Sequence, residues 1–153
     1  MTMTVTDRIE KTNVLRAPRS RVWRALTNAE EFGTWFRARL SGTFAEGAVL
    51  RGPITYPGYE YLTLEIQVER MEPERYLSFR WHPNAVDPKA DYASEPTTLV
   101  EFALEEVKDG TRLTIVESGF DKLPPGRRDE AWRSNDGGWA EQLQNVTKYV
   151  QGA

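Results

Sequence analysis

Four apolar residues near the C-terminus, Trp139, Leu143, Val146 and Val150, recur at steps of four, three and four, which stacks them on one side of a 3.6-residue helix. The spacing predicts one long helix over Arg128 to Val150, approached through Pro124, Pro125 and Gly126 and stopped at Gly152. Continued backwards, the stripe takes in Asn135 and then Ala131 or Trp132. An amide on an apolar face points to a wet or ligand-facing site. Gly137 and Gly138 each cost about 1 kcal/mol against alanine in a helix interior, so close packing against a sheet or a local break is expected there.

The rest of the chain follows other periods. Arg8 to Leu15 alternates imperfectly and reads as a first strand; Pro18 then opens a helix in which Val22, Trp23 and Leu26 share a face. Asn28 is placed to cap a second short helix through Glu30, Glu31 and Phe32 to Trp35. From Phe36 the pattern becomes short strands separated by Gly and Pro turns. Tyr59 to Met71 gives the clearest strand, with Leu62, Leu64, Ile66 and Val68 on one face. Leu77, Phe79 and Trp81 form the inner set of the next strand, and residues 82–96 read as a long loop. Thr98, Val100, Phe102 and Leu104 then share a face, and after the Asp109-Gly110 turn so do Leu113 and Ile115. The fold class expected is α+β, an antiparallel meander with two short helices after strand one and a long terminal helix.

Period-two counting also finds polar residues on inner faces. Glu117 continues the Leu113 and Ile115 parity, and Glu60 continues that of Leu62 backwards. A buried carboxylate must be paired, solvated or protonated, so each is a candidate ligand anchor, and Glu117 a candidate general acid or base. Trp139, Phe79, Trp81 and Phe102 are candidate walls of an apolar pocket, with Asn135 as a polar anchor. His82 falls at the mouth of the long loop and reads as a rim residue. Ser118 has no neighbouring His, which removes a hydrolase triad.

Composition narrows the classes. The chain has 153 residues, 39% hydrophobic and 28% charged, which suits one domain spanning 1–153. A net charge of −3 gives no basic footprint for nucleic acid or for an acidic membrane surface. No cysteine and one histidine leave no thiolate chemistry and no metal motif, so neither a metal nor a cofactor is expected. With no signal-like segment at the N-terminus and no run long enough to span a membrane, the expected location is the cytoplasm.

Four ordered stretches carry a resemblance: APRSRVWRALTNAEEFGTWF at 17–36, MEPERYLSFRW at 71–81, TTLVEFALEEVKDGTRLTIVESGF at 97–120 and GGWAEQLQNV at 137–146. Together they resemble the domain found in activators of the Hsp90 ATPase and their bacterial relatives, within the START/Bet v 1-like superfamily. The resemblance implies a helix-grip fold, a curved sheet wrapped around the last helix, with a cavity that takes apolar or amphipathic small molecules in many relatives and with Leu143 as a further wall residue. Residues 82–96 would then act as a lid. It supplies no catalytic set, and three functions stay open: a small-molecule binding protein; an enzyme resembling polyketide cyclases and dehydratases, with Glu117 as acid or base; and a chaperone ATPase activator, disfavoured because the extra N-terminal domain of the eukaryotic activators is missing. A homodimer through an edge strand is physically reasonable.

Overall fold

A computed structural model describes residues 7–85, 89 and 91–152. Its elements, in chain order, are β1 (Arg8–Leu15), α1 (Arg19–Thr27), α2 (Ala29–Phe36), β2 (Val49–Pro53), β3 (Thr63–Glu72), β4 (Tyr76–Trp81), β5 (Thr98–Val107), β6 (Gly110–Ser118) and the terminal helix α3 (Pro125–Gln151). All strand pairs are antiparallel, in the order β1-β6-β5-β4-β3-β2. The α+β architecture anticipated from the pattern is observed, and so is the helix-grip arrangement implied by the resemblance.

Local chemistry accounts for the boundaries. Pro18 precedes the first turn of α1, and the Asn28 side chain accepts from the Glu31 backbone N–H at 2.9 Å, which caps α2. The alternation in β6 buries Leu113, Ile115 and Glu117 beneath the helix. A register shift between Val68 and Arg70 bends β3 and adds to the curl of the sheet. The β2 edge is covered by residues 38–41, which bridge to Ile54 and Arg51. That crossing is close enough to require glycine at position 52, where an added Cβ would meet the Arg39 carbonyl oxygen at 1.7 Å.

Inside the curve, Phe32, Phe79, Phe102, Ile115 and Val146 are fully buried and form one core with Trp139 and Leu143 of α3. Burying each such side chain contributes about 1.5–3 kcal/mol.

Two expectations change. The Tyr59–Met71 strand starts later, at Thr63, because Pro57-Gly58 drives a turn that closes with Leu62 N–H donating to the Tyr59 carbonyl at 3.0 Å. Glu60 therefore sits exposed on that turn, not on the inner face, and accepts from the Gly58 N–H at 2.8 Å. Gly137 and Gly138 neither break α3 nor pack closely; both are exposed and a methyl group at either would meet nothing within 4 Å.

Candidate functional site

The inner-face carboxylate is the point from which the site is built. In register, Glu117 lies opposite Val100 on β5 and Ile9 on β1, both buried and apolar. Neither neighbour can hydrogen-bond it. Four donors arrive instead from further away. Trp81 and Thr98, cross-strand partners on β4 and β5, both reach Oε2: the indole Nε1–H at 2.8 Å and the Thr98 hydroxyl at 2.5 Å. Asn135 and Trp139, one turn apart on α3, both reach Oε1 at 2.8 Å, through the amide Nδ2–H and the indole Nε1–H. The spacing of four residues on α3 is what brings both donors to one oxygen.

Burial pushes the Glu117 carboxyl above the ordinary carboxylate range, against the pull of the four hydrogen bonds, which favour the charged form. An indole N–H can only donate, so each carboxylate oxygen carries one obligatory donor. The carboxylate in turn fixes the two tryptophans. Their rings stack with centroids 5.6 Å apart and planes 25° apart, and Phe79, Phe102 and Phe36 pack around the pair. Pairs of this kind contribute about 0.5–1.5 kcal/mol beyond area.

On the outer side of this cluster lies a cleft of about 730 Å³. Trp81 and Phe36 form its floor, Tyr56, Tyr59 and Tyr61 line the β2–β3 side, and Ser134, Asn135 and Gln142 of α3 line the other. The β4–β5 loop supplies His82, Asn84, Ala85, Tyr92 and Ala93. A smaller recess of about 190 Å³ shares Phe36, Trp81, Asn135 and Gln142 and reaches Gly138 and Trp139.

Arg127, in the first turn of α3, clasps the neck of that loop. Its Nη2 donates to the Pro83 carbonyl at 2.8 Å and its Nη1 to the Asn84 carbonyl at 3.1 Å, while Nε and Nη2 meet the Glu95 carboxylate at 3.1 and 3.0 Å. The guanidinium also lies over the Tyr92 ring, 4.8 Å from its centre. Across the same neck, His82 Nε2 is 3.1 Å from the Glu95 carbonyl oxygen. A cation in a helix's first turn opposes the helix dipole, so the loop contacts must offset that cost.

Of the residues singled out in the sequence, Trp81 and Asn135 line the cleft and Trp139 lines the recess. Phe79, Phe102 and Leu143 lie in the core behind them, and Glu117 lies behind the wall with no exposure. Glu60 is not among the cleft residues. Residues 86–88 and 90 of the expected lid fall outside the described residues. Sequence reasoning missed Phe36, the three tyrosines, Tyr92 and Arg127; aromatic residues crowded around Pro57-Gly58 were the available signal. Among the described residues no group of three or more His, Asp or Glu could hold a metal ion. No helix among them is long and apolar enough to cross a membrane.

Residues 16–151 match the model of the family described as activator of Hsp90 ATPase homolog 1-like protein. The chain belongs to that family. Among solved structures, protein MLL2253 from Mesorhizobium loti aligns over 95% of this chain and 98% of its own, at 23% identity and a TM-score of 0.75. DynU16, a protein in the dynemicin biosynthetic locus, aligns over 95% of this chain and 47% of its own, at 26% identity and a TM-score of 0.73. The Aha1 dimer from Colwellia psychrerythraea aligns over 94% and 95%, at 15% identity and a TM-score of 0.70. Among curated proteins none matches. This member of the Hsp90 activator-like family thus shares its fold with proteins of diverse setting, and its own site has to carry the functional argument.

Proposed function

We propose that this protein binds a flat, mainly apolar small molecule in the cleft between the β2–β3 turn, the β4–β5 loop and α3. The observation that carries the reading is the cleft wall itself: about 730 Å³ bounded by Phe36, Trp81 and three tyrosines, with a few polar groups from α3. Large apolar concavities with sparse polar groups are the usual form of small-molecule sites. The likeness to DynU16, from the dynemicin biosynthetic locus, is in keeping with a ligand of this kind. In this reading the β4–β5 loop covers the bound molecule and Arg127 holds the loop's neck.

The state of Glu117 favours binding over a cyclase- or dehydratase-like reaction driven by that residue. A general base needs an oxygen within reach of a substrate proton. Both Glu117 oxygens already accept two hydrogen bonds, and the residue has no exposed surface. Its role in the proposed site is to hold Trp81, Trp139 and Asn135 in place.

Native mass spectrometry of freshly purified protein, followed by thermal denaturation against apolar aromatic metabolites and lipids, tests the reading. A bound species or a saturable stabilisation is expected; a ligand at one hundred times its Kd stabilises by about 2.7 kcal/mol. Protein that is empty and gains no stability across the panel, yet stimulates a chaperone ATPase, would replace this reading with an interaction role.

A further inference from the structure

The amide of Asn135 has a fixed direction. Glu117 Oε1 accepts from the Trp139 indole N–H, which cannot act as an acceptor, and from Asn135 Nδ2. A proton on Oε2 can be shared with the Thr98 hydroxyl, which lies at that oxygen. Oε1 is therefore an acceptor while Glu117 is charged or carries its proton on Oε2, and in either state the amide turns its NH2 towards it. The Asn135 carbonyl oxygen, Oδ1, is left as the second polar atom of a residue that lines both the cleft and the recess. It has no hydrogen-bond partner among the described residues, and it is not a buried atom lacking one.

The neighbouring polar groups do not offset this. Gln142 is used at both ends, with Nε2 donating to the Phe36 carbonyl at 3.1 Å and Oε1 accepting from Asn145. His82 Nε2 faces a carbonyl oxygen, which can only accept, so that nitrogen donates and is occupied. Glu65 is ion-paired to Arg51. The donors left on the wall include hydroxyls, the Asn84 side-chain amide and the second N–H of Asn135.

We propose that Asn135, oriented by Glu117, presents its carbonyl oxygen to the cleft as a fixed acceptor, so that the site selects flat apolar molecules bearing a neutral donor such as a phenolic hydroxyl or a ring N–H. This rests on the cleft-binding reading above and specifies its ligand class. A site built to accept a ligand's hydrogen bond discriminates against the analogue that cannot offer one.

The test uses two matched pairs as probes: β-naphthol with its methyl ether, and indole with N-methylindole, each titrated by calorimetry. The donor-bearing member of each pair should bind more tightly, by roughly two- to tenfold, the span expected of one net hydrogen bond. Asn135→Leu should abolish the preference. Asn135→Ser, which keeps a donor for Glu117 but removes the carbonyl, should do the same if the leucine variant does not fold. Equal affinities within each pair, or tighter binding of the methylated member, would overturn the proposal and leave the binding reading intact. A preference that persists in a folded Asn135 variant would also overturn it. Failure of all four probes to bind the unmodified protein would overturn both.

Discussion

The two halves of α3 solve different problems. From Trp139 onward, Leu143, Val146 and Val150 follow the helical stripe into an apolar core, and the outward positions are polar. From Pro125 to Asp136 only Ala131 is buried, and the half-buried positions include Arg127 and Asn135, whose partners are a loop and a carboxylate. The second half is held mainly by area, with Trp139 adding a hydrogen bond to Glu117 and Gln142 one to Phe36, and the first by a few directed bonds. Apolar burial tolerates small changes in geometry, whereas a directed bond does not. The first half, which brings Ser134 and Asn135 to the cleft, is therefore the half in which single polar substitutions should alter binding most.

Removing the carboxylate is expected to have the largest effect. Glu117→Leu leaves the Trp81 and Trp139 indole N–H groups and the Asn135 amide without their acceptor, and each orphaned buried group costs about 1–3 kcal/mol. A loss on the order of 3–5 kcal/mol in denaturant unfolding is expected, together with a change in tryptophan emission as the stacked pair loosens. Val146→Ala is the control from the other half. It should cost about 2 kcal/mol through lost burial and a small cavity while leaving cleft affinity unchanged. Equal effects of both substitutions on affinity would erase the distinction between the halves.

The same carboxylate gives the comparison a pH dependence. Burial raises the Glu117 pKa in the folded protein. The folded state then holds its proton to higher pH than the unfolded chain does, so the unfolded state binds fewer protons between the two values. The contribution is full below the ordinary glutamate pKa of about 4.3 and is lost as pH rises through the folded value. Unfolding free energies measured across this range should fall with pH more steeply in the unmodified protein than in Glu117→Gln, which cannot ionise. Parallel curves would show that the four donors cancel the burial effect.

Arg127→Gln should be milder. Arg127 and Glu95 are about one-fifth exposed, and the guanidinium also holds two loop carbonyls. A loss of about 1–2 kcal/mol is expected. Amide exchange should speed up in residues 82–85 and 91–95 but not in β5 and β6, because the clasp spans only the loop neck. Uniform acceleration across the sheet would make Arg127 a general stabiliser of α3.

Legibility in the sequence followed the same division. The stripe of Trp139, Leu143, Val146 and Val150 and the alternation of β6 are periodic, and periodicity exposed both the second half of α3 and Glu117 as an inward carboxylate. Asn135 stood out because it interrupts a stripe. Arg127 did not, since an arginine in a first turn looks the same in sequence whether it faces water or two carbonyls. The tyrosines at 56, 59 and 61 sit in a turn with no period, and period-two counting carried through that turn placed Glu60 on the wrong face. What joins Trp81, Thr98, Glu117, Asn135 and Trp139 is register between distant segments, and no local pattern encodes it.

The smallest effect concerns the joint between the halves. Gly137 and Gly138 lie within continuous helix, and a methyl group at either meets open space. Sterics do not call for glycine at these positions. Helix propensity alone therefore predicts that Gly137→Ala stabilises the protein by up to about 1 kcal/mol, seen as a small rise in Tm. The informative quantity is what accompanies that rise. If the two halves are rigidly joined in function, probe association and release rates in the cleft stay as they were. If ligand passage requires the first half to swing away from Glu117, stiffening the joint slows both rates while the equilibrium affinity hardly moves. Stopped-flow measurements on Gly137→Ala separate the two outcomes, and slowed rates would mean that the directed bonds of the first half open and close during binding, whereas the core stripe of the second half stays packed.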